Sequence, residues 1–225
     1  MRHQKQRRQL NFLITAGGTR EYIDPVRFIS NASSGKMGYE LARAAASLGN
    51  KVTLITAPTS TPLPKGVKVV EVESASDMFE AVKRRFDRCD CLIMAAAVSD
   101  YTPLAPAPVK IKKGKGLITL KLKPTLDILK WAADHKHKRQ IVVGFALDDK
   151  NLRVNAQKKL KEKNLDMIIA NRPSAIGAER SSVWIKTDRG GWMTISNKTK
   201  AEIAGKIIRL AKERFCISNK ECCQE

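Results

Sequence analysis

Short apolar runs alternate with helical segments along most of the chain, and this alternation constrains the fold more than any other feature. Phe12–Thr15 reads as a buried strand. Gly38–Leu48 follows as a helix, with Leu41, Ala44, Ala45 and Leu48 on one face and Gly49 past its end. Val52–Thr56 and Val67–Val72 are further strands. A helix from Ser76, its candidate cap, to Arg88 turns Met78, Phe79, Val82 and Phe86 inward. Cys91–Ala96 is a wholly apolar strand. Asp127–Ala133 is helical, Ile141–Phe145 extended, Leu152–Lys163 a basic helix, Met167–Ala170 extended, and Lys200–Phe215 a closing helix. Apolar strands without polar alternation, separated by helices, predict an α/β fold: a mainly parallel, Rossmann-like sheet with helices on both faces.

Two segments break the pattern. Ile111–Lys123 alternates Lys with apolar residues around Gly114 and Gly116, and predicts a protruding β-hairpin arm over about 104–124. Val183–Lys186 and Trp192–Ile195 predict a late hairpin around Asp188–Gly191. No internal repeat interrupts the order. The sequence divides into a basic start (1–10), one domain (11–215) and a tail (216–225).

The chain of 225 residues carries a net charge of +20, which predicts anionic partners. The charge is uneven: Lys110–Arg139 holds ten Lys/Arg against two Asp, and Lys150–Lys163 six against one Glu. Aromatic residues are 5% and the tryptophans look scattered, so specific nucleic-acid binding is not expected. No apolar run approaches the length of a membrane span, and no apolar segment follows the basic start, so neither a span nor a secretory signal is expected. An odd count of five cysteines (Cys89, Cys91, Cys216, Cys222 and Cys223) without a secretory signal predicts a reducing, cytoplasmic setting, and their spacing suits no zinc site.

Open parallel sheets bind ligands beyond the carboxyl ends of their strands. Four loops fall there: Gly17–Gly35, Ala97–Lys113, Ala146–Lys150 and Asn171–Ser182. The first holds Gly17, Gly18, Thr19 and Arg20, then Asn31, Ser33, Ser34, Gly35 and Lys36 at a helix start. Free backbone N–H groups at such a start attract phosphate. The glycines match neither a dinucleotide fingerprint nor a P-loop. Asp100, past an apolar strand, is either a turn former or a carboxylate for Mg²⁺ shared with phosphate oxygens. Lys110 is either a solvated residue of the arm or a cation returned to the same rim. Lys159 and Lys163 share one helical face.

The run "AGGTREYIDPVRFISNASSGKMG", with "AAAVSDY", "KIKK", "GFA" and "KEKNLDMIIAN" in the same order, resembles phosphopantothenate–cysteine ligases, the ligase half of bacterial coenzyme A biosynthesis flavoproteins. The resemblance covers roughly residues 11–212. It implies ligation of 4′-phosphopantothenate to L-cysteine through an acyl-cytidylate formed from CTP with Mg²⁺, in a homodimer joined by the arm. It implies Asn31 and Lys110 as catalytic residues. It implies Met94, Ala95, Ala96, Asp100, Lys110, Leu126, Asp127, Ile128, Leu129, Phe145, Lys159 and Lys163 at the nucleotide, Asp100 also at the metal, and Gly17–Arg20 with Ser33–Lys36 as a substrate or phosphate loop. With no flavin-binding half ahead of the first strand, no FMN is expected, and the decarboxylase of the pathway would be either a protein of its own or a part not included in this sequence. Leu126 stands where proline is usual, Asp148 where Glu is frequent, and Ser181 or Ser182 where Asn is frequent. Two rival readings remain: a noncatalytic polyanion binder on the same fold, which intact Asn31, Asp100 and Lys110 oppose, and an NAD(P)-dependent reductase, which lacks an acid at the end of its second strand.

Overall fold

The computed structural model describes residues 8–219. In chain order the elements are β1 (Asn11–Ala16), β2 (Arg20–Tyr22), β3 (Phe28–Ser30), α1 (Lys36–Ser47), β4 (Lys51–Thr56), β5 (Lys68–Glu71), α2 (Ala75–Phe86), β6 (Cys91–Met94), β7 (Tyr101–Pro103) and β8 (Leu122–Pro124). They continue with α3 (Ile128–His135), β9 (Ile141–Leu147), α4 (Leu152–Glu162), β10 (Met167–Asn171), a 3₁₀ turn (Pro173–Ala175), β11 (Arg180–Thr187), β12 (Trp192–Thr199) and α5 (Lys200–Ser218).

Eight strands form one sheet in the order β12-β11-β10-β9-β6-β1-β4-β5. The six from β5 to β10 are parallel, and β11 and β12 extend the edge as an antiparallel pair. The chain therefore builds outward from β1 in one direction, returns to β6 beside it, and builds outward in the other. The switch point lies between β1 and β6, where open α/β sheets bind ligands.

Successive residues of β1 serve opposite cores. Phe12, Ile14 and Ala16 pack with α1 and α5, whereas Leu13 packs with α2, α3 and α4. Helix α5 contributes Ile203, Ile207 and Ile208, each wholly buried, and complete burial of an aliphatic side chain of this size is worth roughly 1.5–3 kcal/mol. Cys89 and Cys91 lie inside; burial pushes the Cys89 thiol up to about 12 and the Cys91 thiol well above its ordinary value, so both pack as small apolar groups.

Four expectations need correction. The cap of α2 is Ser74, not Ser76: Ser74 Oγ accepts from Asp77 N while the Asp77 carboxylate accepts from Ser74 N, a reciprocal box that places Ser76 inside the helix. The arm is not a hairpin over Ile111–Lys123. Its antiparallel ladder is confined to the root, β7 with β8, and residues 111–121 have no regular structure. Gly114 and Gly116 at its centre weaken any strand there. The tryptophans are not all scattered: Arg153 lies 5.8 Å from the Trp184 ring and 5.9 Å from the Trp192 ring, with Arg172 and Lys186 each 5.9 Å from one of them. Helix α5 runs to Ser218, past the expected end at Phe215. Cys222, Cys223 and most of the basic start lie outside the described residues.

Candidate functional site

A cleft of about 640 Å³ opens at the switch point, between the start of α1, the carboxyl ends of β6, β9 and β10, and the start of α3. Its first wall is Asn31 to Gly38. Gly35 takes a left-handed conformation (φ 70°), which turns the chain into α1 without a side-chain cap. The first bond of the helix runs from Tyr39 N to Gly35 O, and no acidic residue lies in the first turn. The N–H groups ahead of Tyr39 thus have no helical acceptor, at the end where the helix dipole is positive. Gly38 lets this end press on β1: a Cβ there would lie 2.6 Å from Ala16 Cβ and 2.9 Å from Thr15 O.

The facing wall carries charge. Lys159 Nζ donates to Phe145 O at 2.8 Å, and burial, followed by the Lys163 charge, lowers its pKa against the pull of Asp127 and Asp100. Lys163 pairs with Asp127 at 2.7 Å. The Asp127 carboxylate also caps α3 by accepting from Lys130 N; burial pushes its pKa up, but these partners outweigh that and hold it low. Met94, Ala95, Ala96, Asp100, Leu126, Ile128, Leu129 and Phe145 complete this side of the lining. Leu126 is 60% exposed and so stands open to a ligand.

Among the expected site residues, Gly17, Gly18, Thr19, Arg20 and Lys110 do not line the cleft. The glycine pair is stitched to the loop after β6: Ala97 N donates to Gly17 O, and Thr19 N donates to Ala97 O. Thr19 is wholly buried, its hydroxyl accepting from Ser99 N. Arg20 lies over the Phe28 ring and 3.9 Å from Glu73. These residues build the long loop; β2 and β3 give that loop a small ladder of its own. Asn31 lines the cleft, and its Nδ2 donates to Ala97 O and Val98 O, each at 3.2 Å.

Lys110 sits where the arm leaves the body. Buried Asp24 fixes that root: its carboxylate accepts from Val26 N, Arg27 N and Ile111 N and pairs with Arg27 at 2.7 Å, while Arg27 donates to Ile111 O. Burial pushes the Asp24 pKa up, but the three N–H donors and the guanidinium prevail and hold it below the ordinary value.

Asn171 and Gly177 line the cleft from the fourth loop expected at the rim, whereas Thr125 and Lys200 were not foreseen. Thr125 ties the turn before α3 to Ser99 O at 2.6 Å. Lys200 begins α5, far along the chain from Lys36, and no local pattern announces that the two share a cleft. As a metal site the cleft is sparse. The described residues contain no group of three or more His, Cys, Asp or Glu able to hold an ion, and Asp100 is, among them, the lining carboxylate without an ion pair. One carboxylate fits Mg²⁺ bound jointly with phosphate oxygens and does not fit an all-protein cage.

The strand order and the cation-lined cleft at its switch point define a Rossmann-like α/β protein. Within that class, the chain belongs to the family described as DNA/pantothenate metabolism flavoprotein C-terminal domain, which matches residues 7–214. It is 52% identical over 167 residues, 74% of its length, to the coenzyme A biosynthesis bifunctional protein CoaBC of Bacillus subtilis, covering 41% of that protein. It is 46% identical over 201 residues, 87% of its length, to a cysteine/cysteine sulfinic acid decarboxylase of an unknown prokaryotic organism, covering 56% of that one. The chain thus spans about half the length of the curated relatives it matches. A crystal structure of the C-terminal domain of a CoaBC superposes with a TM-score of 0.77 at 39% identity, covering 91% of this chain and 94% of that one. Among the described residues no helix is long and apolar enough to cross a membrane.

Proposed function

We propose that this protein is a phosphopantothenate–cysteine ligase that uses CTP. The observation that carries the reading is the cleft itself: an uncapped helix start without acidic residues shares it with Lys159, Lys163 and the carboxylate of Asp100. That set suits a ligand rich in phosphate and offers no Ser-His or Cys-His pair. Membership of the family and likeness to CoaBC point the same way.

The chemistry asks for such a set. In the first step the substrate carboxylate oxygen bonds to the α-phosphorus of CTP and the bond to the β-phosphate oxygen breaks, releasing pyrophosphate. In the second the cysteine amine bonds to the acyl carbon and CMP departs. Both steps concentrate negative charge, which fixed cations and backbone N–H groups stabilise without a nucleophilic side chain. Lys159 and Lys163 would hold the nucleotide beside Phe145, and the start of α1 would take phosphate oxygens. Asp100 would hold Mg²⁺, which supplies charge neutralisation at those oxygens.

Two roles depend on movement. Lys110 would serve the first step, which requires the arm, irregular beyond its root, to bring the ammonium over bound phosphates. Asn31 would serve the second. Its two N–H groups are engaged by Ala97 O and Val98 O, so a donor role at the oxyanion requires release of at least one. The arm exposes Leu104, Val109, Leu117 and Ile118, an apolar edge suited to a second copy of the chain, as expected of a homodimer.

The test is pyrophosphate release with 4′-phosphopantothenate and Mg²⁺, comparing CTP, ATP and UTP with and without L-cysteine. Release that requires phosphopantothenate, prefers CTP and turns over only with cysteine is the expected result; no release with any nucleotide refutes the reading. Lys110→Ala should abolish the burst of pyrophosphate. Asn31→Asp should leave the burst and slow amide formation, and normal turnover in that variant would remove Asn31 from the mechanism.

A further inference from the structure

Lys200 is only 6% exposed, yet it lines the cleft. Its ammonium donates to Ala175 O at 2.9 Å and meets no carboxylate within ion-pair distance among the described residues. An ammonium has three donors, so one carbonyl leaves it under-satisfied in a site where solvation is already reduced. Burial and then the Lys36 charge push its pKa down. Its position adds to the cost. Lys200 is the first residue of α5 and Lys36 the first of α1, and a cation at a helix start opposes the helix dipole.

The fold holds Lys200 there firmly. Thr199 and Glu202 form a capping box at the start of α5, with Thr199 Oγ1 accepting from Glu202 N and the Glu202 carboxylate accepting from Thr199 N. On the neighbouring strand Arg180 lies opposite Thr199 and Ser181 opposite Lys198. Ser181 also lines the cleft, and its Oγ is buried without a hydrogen-bond partner among the described residues, a position that normally has one. Two lysines without counter-ions among those residues and an orphaned hydroxyl thus share a wall with the uncapped start of α1. An anion with several acceptor oxygens satisfies them together.

We propose that Lys200, with Lys36 and Ser181, forms a phosphate subsite at the end of the cleft where α1 and α5 begin, separate from the wall of Lys159 and Lys163. The phosphate is either the terminal part of a nucleoside triphosphate or the phosphate monoester of the acid substrate. Only this choice of source rests on the ligase reading; the binding of phosphate does not.

The experiment is calorimetric titration of the full chain and of Lys200→Met, Lys200→Arg and Ser181→Ala with inorganic pyrophosphate, CTP, CMP, 4′-phosphopantothenate and pantothenate. Lys200→Met keeps the apolar stem and removes the charge. Loss of one charge-assisted contact predicts binding weaker by about tenfold or more, with Lys200→Arg near the parent and Ser181→Ala in between. Weakening of pyrophosphate and CTP with CMP unchanged assigns the subsite to the nucleotide. Weakening of phosphopantothenate with pantothenate unchanged assigns it to the acid substrate. Affinities within about twofold of the parent for every probe overturn the proposal, as does equal weakening of phosphorylated and unphosphorylated probes. A parent chain that binds pyrophosphate through Lys200 but ligates nothing refutes the ligase reading alone.

Discussion

Replacing Gly38 by Ala sets two physical effects against each other. Gly38 lies in α1 with an ordinary negative φ, so helix propensity alone predicts a gain of about 1 kcal/mol. Packing predicts the reverse. The added Cβ would lie 2.6 Å from Ala16 Cβ, whereas carbon atoms rest at about 3.5–4.0 Å, so the helix start must retreat from β1 by about 1 Å. Both Ala16 and Thr15 are wholly buried in the central strand and have nowhere to yield. Over-packing of this kind costs about 1–3 kcal/mol, which leaves a net loss of up to about 2 kcal/mol. Gly205 is the control. It lies in α5, and a Cβ added to it would meet nothing within 4 Å, so Gly205→Ala should gain about 0.5–1 kcal/mol. Urea denaturation of both variants reads the difference, and pyrophosphate titration reads whether the retreat displaces the N–H groups at the start of α1. If Gly38→Ala stabilises as much as Gly205→Ala, with unchanged pyrophosphate affinity, the close approach does not govern this site.

Glu202 provides a pH-dependent test. Hydrogen bonds from Thr199 N, then Lys198 and the Thr199 hydroxyl, lower its carboxyl from 4.5 to about 2. A depressed folded-state pKa stabilises above the ordinary value and loses that stabilisation as pH falls towards 2. The gap in urea midpoint between the parent and Glu202→Gln should therefore be wider at pH 6 than at pH 3; a constant gap refutes it. Lys163→Met should raise the Asp127 pKa, followed by NMR, while changing stability by no more than about 1 kcal/mol, because the pair is half-exposed. Asp24→Asn should loosen the root of the arm and speed proteolysis between Ala107 and Ile111; cleavage at the parent rate would show that the clamp does not hold it.

The parallel sheet was legible because strands such as Cys91–Met94 are buried on both faces and so lack polar alternation. Helices α1 and α2 were legible from their apolar faces, and all five helices were placed to within a few residues at their ends. Ser74 and Ser76 both precede apolar helical positions, and only the reciprocal bond with Asp77 distinguishes them. The arm misled for a physical reason: alternating Lys and apolar residues suggest a strand, but pairing needs a partner, and the ladder stops at Leu122. In the site, Asn31, Ser33–Lys36 and Asp100 were readable as loop residues and Lys159 and Lys163 as one helix face, whereas Phe145, on β9, entered only through the family resemblance; all of them share one cleft. The resemblance implied a phosphate loop at Gly17–Arg20, yet Gly17 O and Thr19 N bond Ala97 in the loop after β6 and Arg20 N donates to Glu73 O. Lys200 left no trace, since its neighbourhood arises from pairing across α1, β11 and α5.

The packing of α1 against α5 also bears on how the chain acquires its structure. The buried face of α1, with Tyr39, Leu41, Ala42 and Ala45, finds its complement in α5, the last helix in the described chain. A nascent chain emerging from the ribosome would display that face, and the same face of β1, from the emergence of α1 until α5 follows. Such late closure makes folding slow and leaves an aggregation-prone intermediate in the interval. A shortened chain lacking α5 should engage chaperones for the same reason. Helix α5, which completes this core, also carries Lys200, so Lys200 joins the cleft only when the core closes.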